Sequence, residues 1–254
     1  MRKPGNQLTK KEVIRSRKKK FKLKKVCITL FLVLITIVGL VLTFQVPITT
    51  WFVNRFQHKY SLSNLSKDDL KANQKRKVSF GTKNVKTVNF FDVALAQMDE
   101  KNYPVIGAIS YPDLSIVLPI LNGDGEATML YGAGTMKPNE VMGQGNYALA
   151  SHLVSNVYGH SADGSPLQNA KVGQEIYLTD KEKVYEYKTT SVENVTQDQG
   201  VVTADVPNKK LITLVTCAQD DTFRIVVRGT LIKISKFNNT TAQLFASKYT
   251  QWWN

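Results

Sequence analysis

The chain is poor in cysteine and histidine. Its 254 residues include two cysteines, Cys27 and Cys217, and three histidines, His58, His152 and His160. Cys27 sits in an apolar run near the N-terminus and Cys217 lies far beyond that run, so the two cannot meet and no intramolecular disulfide is expected. The histidines and the remaining thiol show no metal-ligand spacing, which argues against a zinc site. Phosphate-binding glycine loops are missing as well. Gly132-Ala133-Gly134 and Gly143-Gln144-Gly145 lack both the third glycine and the strand-to-helix setting of a dinucleotide loop, and no P-loop is present. No internal repeat occurs. What remains open is chemistry that needs no cofactor.

Acidic residues are scarce at one end only. Residues 1–25 hold twelve Lys/Arg against the single acid Glu12, whereas the rest of the chain carries 22 bases and 19 acids. The formal net charge of +14 is therefore a local feature, and a nucleic-acid-binding surface on the fold is not expected. The basic block abuts an uncharged apolar stretch at 26–44, VCITLFLVLITIVGLVLTF. At about 1.5 Å per residue such a stretch crosses a bilayer core of about 30 Å, and Gly39 is tolerable in a membrane helix. A cleaved signal peptide is the alternative, but its apolar region is shorter and ends in small residues, whereas this run continues into Gln45-Val46-Pro47-Ile48. The pattern predicts a basic cytoplasmic segment at 1–25 and an uncleaved signal anchor at 26–46. By the positive-inside rule, the long C-terminal part then faces outward from the cell membrane. Cys27, at the edge of the span, is expected to pack against lipid.

Residues 47–86 are polar and charge-mixed and read as an extracellular stalk, with Ser66-Lys67-Asp68-Asp69 resembling a capping box that opens a short helix. A further helix is expected over 89–99, before the Tyr103-Pro104 break. From 105 onward the pattern changes. Short apolar runs at 105–109, 114–121, 175–178, 184–187, 210–217 and 224–234, separated by turn signals, predict an all-β barrel or sandwich. The catalytic domain is placed at 87–237 and a tail at 238–254. Read as a helix, the tail puts Phe245, Tyr249, Trp252 and Trp253 on one face, which is expected to dock on the barrel.

An unpaired exported cysteine is either a small buried hydrophobe or a thiol kept for reaction. A reactive thiol needs a base or a cation to raise its thiolate fraction, since free cysteine has a pKa of about 8.5. His152, Arg224 and Arg228 are the candidates. The run Leu211-Ile212-Thr213-Leu214-Val215-Thr216-Cys217 reads as a buried strand ending on the thiol. Arg224 opens the next strand after a separation short enough for a hairpin, so it is expected beside Cys217. Arg228 shares that face but lies about 13 Å further along.

At these residues the sequence resembles class A sortases. Thr213-Leu214-Val215-Thr216-Cys217 matches the TLxTC signature of that family, Asn146-Tyr147-Ala148-Leu149-Ala150-Ser151-His152 its histidine segment, and Arg224-Ile225-Val226-Val227 its arginine strand. The resemblance runs in order from about residue 103 to residue 234. It implies an eight-stranded sortase-type β-barrel with short helices, following one transmembrane helix in a Gram-positive cell membrane. It also implies a cysteine transpeptidase that cleaves LPxTG-type sorting signals between Thr and Gly. In that reaction Cys217 is the nucleophile, His152 the acid and base, and Arg224 the group that holds substrate or oxyanion. Ala150 and Thr216 are the implied substrate-contacting positions, and 189–210 corresponds to the loop over the substrate's Leu-Pro. The implied partners are LPxTG-bearing surface proteins and the amine of a lipid II-type peptidoglycan precursor. Two departures from the pattern stand out. Leu153 follows His152 where many members carry a second histidine, and Asp113, Asp124 and Glu140 do not form a dense acidic cluster, so neither calcium nor any other cofactor is expected. A pilus-polymerising sortase and a membrane-tethered binding module with an inert Cys217 are the competing readings.

Overall fold

The computed structural model describes residues 10–44, 60–80, 103–125, 128, 132–151, 166–196, 200–217 and 223–246. Several sequence expectations fall outside them: the helix at 89–99, His58, His152, His160, and Tyr249, Trp252 and Trp253 of the tail. The chain divides into two compact units, residues 1–45 and 46–254.

The first unit is one helix, α1, Lys10–Thr43. Its segment Phe21–Thr43, of 23 residues and mean hydropathy 2.9, is long and apolar enough to cross a membrane. Leu, Ile and Val on every face favour that solvent. Two of its three threonine hydroxyls are satisfied within the helix, Thr36 Oγ1 donating to the Leu32 carbonyl at 2.9 Å and Thr43 Oγ1 to the Gly39 carbonyl at 2.8 Å. From Lys10 onward the basic segment and the span form one continuous helix, with Lys25 Nζ 5.0 Å over the Phe21 ring.

The second unit is built on eight strands: β1 Val105–Tyr111, β2 Ile116–Leu121, β3 Ala133–Thr135, β4 Asn146–Ala150, β5 Glu175–Thr179, β6 Lys183–Thr196, β7 Leu211–Cys217 and β8 Phe223–Lys236. They close into a barrel in the order β1-β2-β3-β4-β7-β8-β6-β5. The β2/β3 and β4/β7 pairs are parallel and the others antiparallel. Closure removes free edges, so every strand is paired on both sides. The interior is filled by alternate side chains, among them Ile120, Tyr147, Leu149, Ile176, Leu178 and Ile212.

Three expectations are corrected. The apolar run at 114–121 does not begin as a strand: Pro112–Leu114 is a 3-10 turn, Ser115 takes a left-handed φ of 53°, and β2 starts at Ile116. The loop expected from 189 begins later, because β6 runs on to Thr196 beside β8, absorbing a bulge between Thr189 and Ser191.

The third correction concerns the stalk at 47–86. Over 60–80 it is part of the packed domain. Ser66 caps α2, Lys67–Gln74, with the anticipated box, its Oγ accepting from Asp69 N at 3.1 Å while Asp69 Oδ2 accepts from Ser66 N at 2.8 Å. Tyr60, Leu62 and Leu70 are buried in a second apolar cluster with Val105, Leu121 and Val184 of the barrel. Lys181, at the β5–β6 turn, donates through Nζ to the Leu62 and Leu65 carbonyls at 2.9 and 2.6 Å. Phe245, in the 3-10 turn Gln243–Phe245 that follows α3, Asn239–Ala242, is buried in the same cluster. Leu70, 3% exposed, is the deepest anchor of α2. Leu70→Ala is expected to destabilise the domain by about 2–4 kcal/mol, read as a lowered urea midpoint; an unchanged midpoint would return 60–80 to the role of a free tether.

Candidate active site

Four of the candidate positions, Ala150, Thr216, Cys217 and Arg224, lie at one end of the β4–β7–β8 sheet. Apolar β7 is central, flanked by parallel β4 and antiparallel β8, and the ladder fixes which positions meet. Cys217 is the register partner of Arg224, and Thr216 that of Ile225. Arg228 is paired with Thr213, four residues back from the thiol position. On the other side Ala150 pairs with Val215, and the parallel ladder extends one step further, Ser151 N donating to the Val215 carbonyl at 3.2 Å. The chain thus reaches His152, itself outside the described residues, directly after a residue tied to the last turn of pairing on β7. The structure therefore brings together the backbone positions of Cys217, Arg224, Thr216 and Ala150, and leaves Arg228 apart from them.

Ala150, Ser151, Val215 and Thr216 border an open cleft of about 420 Å³, walled further by apolar side chains such as Ile116, Leu118 and Leu149. The Thr216 side chain is 3% exposed, and its Oγ1 has no hydrogen-bond partner among the described residues. A buried hydroxyl without a partner is costly. Arg224 is half-buried and directs Nη1 to the Phe223 carbonyl at 3.1 Å.

Sequence reasoning missed the polar frame that holds the loop before β7. Asn146, 2% exposed, is its hub. Its Nδ2 donates to the Val202 and Ala204 carbonyls, both at 3.1 Å, and its Oδ1 accepts from Thr213 Oγ1 at 2.7 Å. Asp205 Oδ1 accepts from Asn146 N and from Lys137 Nζ, each at 2.8 Å, which holds its carboxyl below the usual range. Gly145, at φ 52°, makes room: a Cβ there would sit 2.8 Å from the Asp205 carboxylate. The only signal in the sequence was a polar residue opening an apolar strand.

Glu140 completes this frame from inside. Its Oε1 accepts from Ala148 N at 2.7 Å and lies 3.7 Å from Lys137 Nζ. Lys137 and the backbone N–H groups favour the carboxylate, but burial outweighs them and pushes the carboxyl up to about 7. Folded Glu140 is then protonated where the unfolded chain, titrating near 4.5, is already ionised. The stability it contributes is complete below pH 4.5 and is lost as pH rises to about 7, on the order of 3 kcal/mol. Glu140→Gln cannot ionise. Its stability relative to the parent is expected to improve by that order between pH 5 and pH 8; parallel urea curves at the two values would contradict the burial argument.

Among the described residues no group of three or more His, Cys, Asp or Glu is placed to hold a metal ion. The ammonium of Lys137 stands between the carboxyl groups of Glu140 and Asp205.

Comparison with known proteins adds a second line of observation. The family profile described as the Sortase domain matches residues 109–232. The chain is 42% identical over 228 residues to sortase A of Streptococcus agalactiae, a match covering 87% of this chain and 92% of the relative. It is 31% identical over 210 residues to sortase A of Listeria monocytogenes, covering 80% of this chain and 91% of the relative. The crystal structure of the Listeria monocytogenes protein superposes with a TM-score of 0.50 at 34% identity, over 56% of this chain and 98% of that one.

Proposed function

Since the chain belongs to the sortase family, we propose that it is a cysteine transpeptidase that cleaves an LPxTG-type sorting signal and transfers the released acyl group to a cell-wall precursor amine. The observation that carries this reading is the register of three strands, with Cys217 across from Arg224 and the end of β4 laid against the end of β7 just before His152.

In the first step the Cys217 thiolate attacks the Thr carbonyl carbon, and the carbonyl oxygen takes up negative charge. Arg224 donates to that oxygen or to the neighbouring substrate carbonyl as the charge develops. Collapse of the adduct breaks the Thr–Gly C–N bond. The imidazolium of His152 protonates the departing glycine amine, leaving a thioester on Cys217. In the second step neutral His152 takes a proton from the incoming amine, whose nitrogen forms the new amide as the thiolate leaves. Ala150 and Thr216 border the cleft beside the reacting carbon, a small side chain admitting the peptide and an unsatisfied hydroxyl offering it a hydrogen bond.

The rest of the reading follows from the same family. The basic segment stays in the cytoplasm, α1 anchors the protein, and the barrel works outside a Gram-positive cell on surface proteins bearing the signal. The acceptor is an amine of a lipid II-type precursor. Calcium is not required, because Lys137 supplies the cation between Glu140 and Asp205.

Cleavage of a quenched LPxTG peptide, with and without an amine acceptor, tests the activity. A strict need for a planar fork of donors at Arg224 tests the mechanism. Arg224→Ala is expected to lower kcat/KM about 10²-fold, and Arg224→Lys to recover little of it, since an ammonium is a point charge. Parental activity in the Lys variant would reduce Arg224 to bulk electrostatics.

A further inference from the structure

The face of β8 that carries Arg224 continues, at the strand's period of two, through Arg228 to Thr230, the register partners of Thr213 and Leu211 on β7. At about 3.3 Å per residue, Arg228 lies about 13 Å and Thr230 about 20 Å along the strand from Arg224. There the sheet meets the last residues of the loop before β7. The two border an open concavity of about 1550 Å³, lined by Lys209, Lys210, Arg228 and Thr230 and by a single acid, Asp205, among others. A turn presents the lysines. Lys209 N donates to the Val206 carbonyl at 3.1 Å across Pro207-Asn208, with Asn208 at φ 61°, the combination that a type II turn favours. The Lys210 carbonyl then accepts from Leu231 N at 2.9 Å, which ties the turn to β8.

The concavity is basic. Against its three cations stands Asp205, whose Oδ1 is already engaged by Lys137 Nζ and Asn146 N, each at 2.8 Å. Lys209 and Lys210 are exposed and make no ion pair among the described residues, and Arg228 has Glu193 Oε1 at 3.9 Å, beyond hydrogen-bond distance. A concave surface of one sign concentrates ligands of the other. The reaction proposed above, on which this inference rests, says which ligand. The acyl part of the substrate is held through both half-reactions, whereas the glycine side departs and the amine enters. The long paired face therefore suits the acyl part, and the end of the sheet beyond Arg224 suits the exchange. With Thr at the thiol position, an extended peptide puts the Leu of LPxTG about 10 Å back along the strands. The two residues before that Leu fall about 13 and about 17 Å back, between the levels of Arg228 and Thr230. We infer that the concavity is a subsite for acidic residues preceding the sorting signal, with Lys209, Lys210 and Arg228 receiving their carboxylates.

The test compares two quenched LPxTG peptides that differ only in the two residues before the Leu, a pair of glutamates or a pair of glutamines. In the full-length protein in uncharged detergent micelles, the ratio of their kcat/KM values is expected to favour the glutamates about fivefold, the size of effect that a few exposed ion pairs produce. Lys209→Gln combined with Lys210→Gln should bring the ratio below about twofold, and about 1 M salt should shrink it in the parent, because exposed charges are then screened. Reversing the charges, with Lys209→Glu and Lys210→Glu together, should favour a peptide carrying two lysines there. The twelve bases at 1–25 are common to all these variants, so a ratio that follows the substitutions belongs to the concavity. A second readout needs no turnover: the backbone amide NMR signals of Asn208, Lys209 and Lys210 should move on addition of the glutamate peptide and stay in place with the glutamine one. A ratio near one in the parent, or a ratio indifferent to the lysine variants, would overturn the proposal. So would variants that weaken the use of an anionic amine acceptor while the ratio stays fixed, since the concavity would then serve the acceptor. If the parent cleaves neither peptide, the transpeptidase reading falls, and the amide signals still decide whether the concavity receives carboxylates.

Discussion

Cys217→Ala is expected to abolish cleavage of an LPxTG peptide, a loss on the order of 10⁴-fold or more, while the melting temperature stays within about 2 °C of the parent. The change replaces a thiol by a hydrogen on the same Cβ. It leaves the backbone donors and acceptors of β7 intact, and these tie the strand to β4 on one side and β8 on the other. The second cysteine of the chain, Cys27, belongs to α1. The chemistry is lost because alanine cannot form the thioester through which both half-reactions pass. Mass spectrometry of the variant with peptide should show no adduct. Turnover by the variant would remove Cys217 from the mechanism.

His152→Ala is expected to cost about 10²- to 10⁴-fold in kcat, the range in which a positioned acid and base contributes. Both half-reactions move a proton at nitrogen, off the imidazolium to the leaving amine and onto the imidazole from the entering one. One residue must therefore change protonation state within each cycle. Imidazole, titrating at about 6.5 in a model peptide, is suited to that near neutral pH. The pH profile gives the sharper readout. The parent should show a bell-shaped dependence with one limb from His152, and the variant should lose that limb. A variant with an unchanged profile would assign the proton transfers elsewhere.

The legible parts of the sequence were those governed by local rules. The capping box at Ser66 and Asp69 forms as its spacing requires, and the Asp180-Lys181-Glu182 turn closes the β5–β6 hairpin with Asp180 Oδ1 accepting from Glu182 N and Lys183 N, each at 2.8 Å. The pairing of Arg224 with Cys217 was also accessible, because a short connection between two apolar runs fixes a hairpin. The three-residue strand β3, Ala133-Gly134-Thr135, was not, since so short a segment carries no periodicity and is held by Ile120 and Leu121 of β2 and by Leu149 and Ala150 of β4. The burial of Tyr60, Leu62 and Leu70 was hidden by their polar neighbours, because three apolar residues in a charged stretch signal docking only once the barrel surface exists. The partnership of Lys137, Glu140, Asn146 and Asp205 likewise joins residues far apart in sequence through side-chain geometry alone.

The central claim is that a thioacyl-enzyme forms at Cys217 and is passed to an amine. Its most direct test is intact-protein mass spectrometry of the enzyme mixed with an LPxTG peptide, first without and then with an amine acceptor. The account predicts an added mass equal to the peptide up to and including Thr, mapped to Cys217 and discharged as an amide when the acceptor is added. A peptide cleaved between Thr and Gly with no adduct at Cys217, under conditions that trap a thioester, would contradict it.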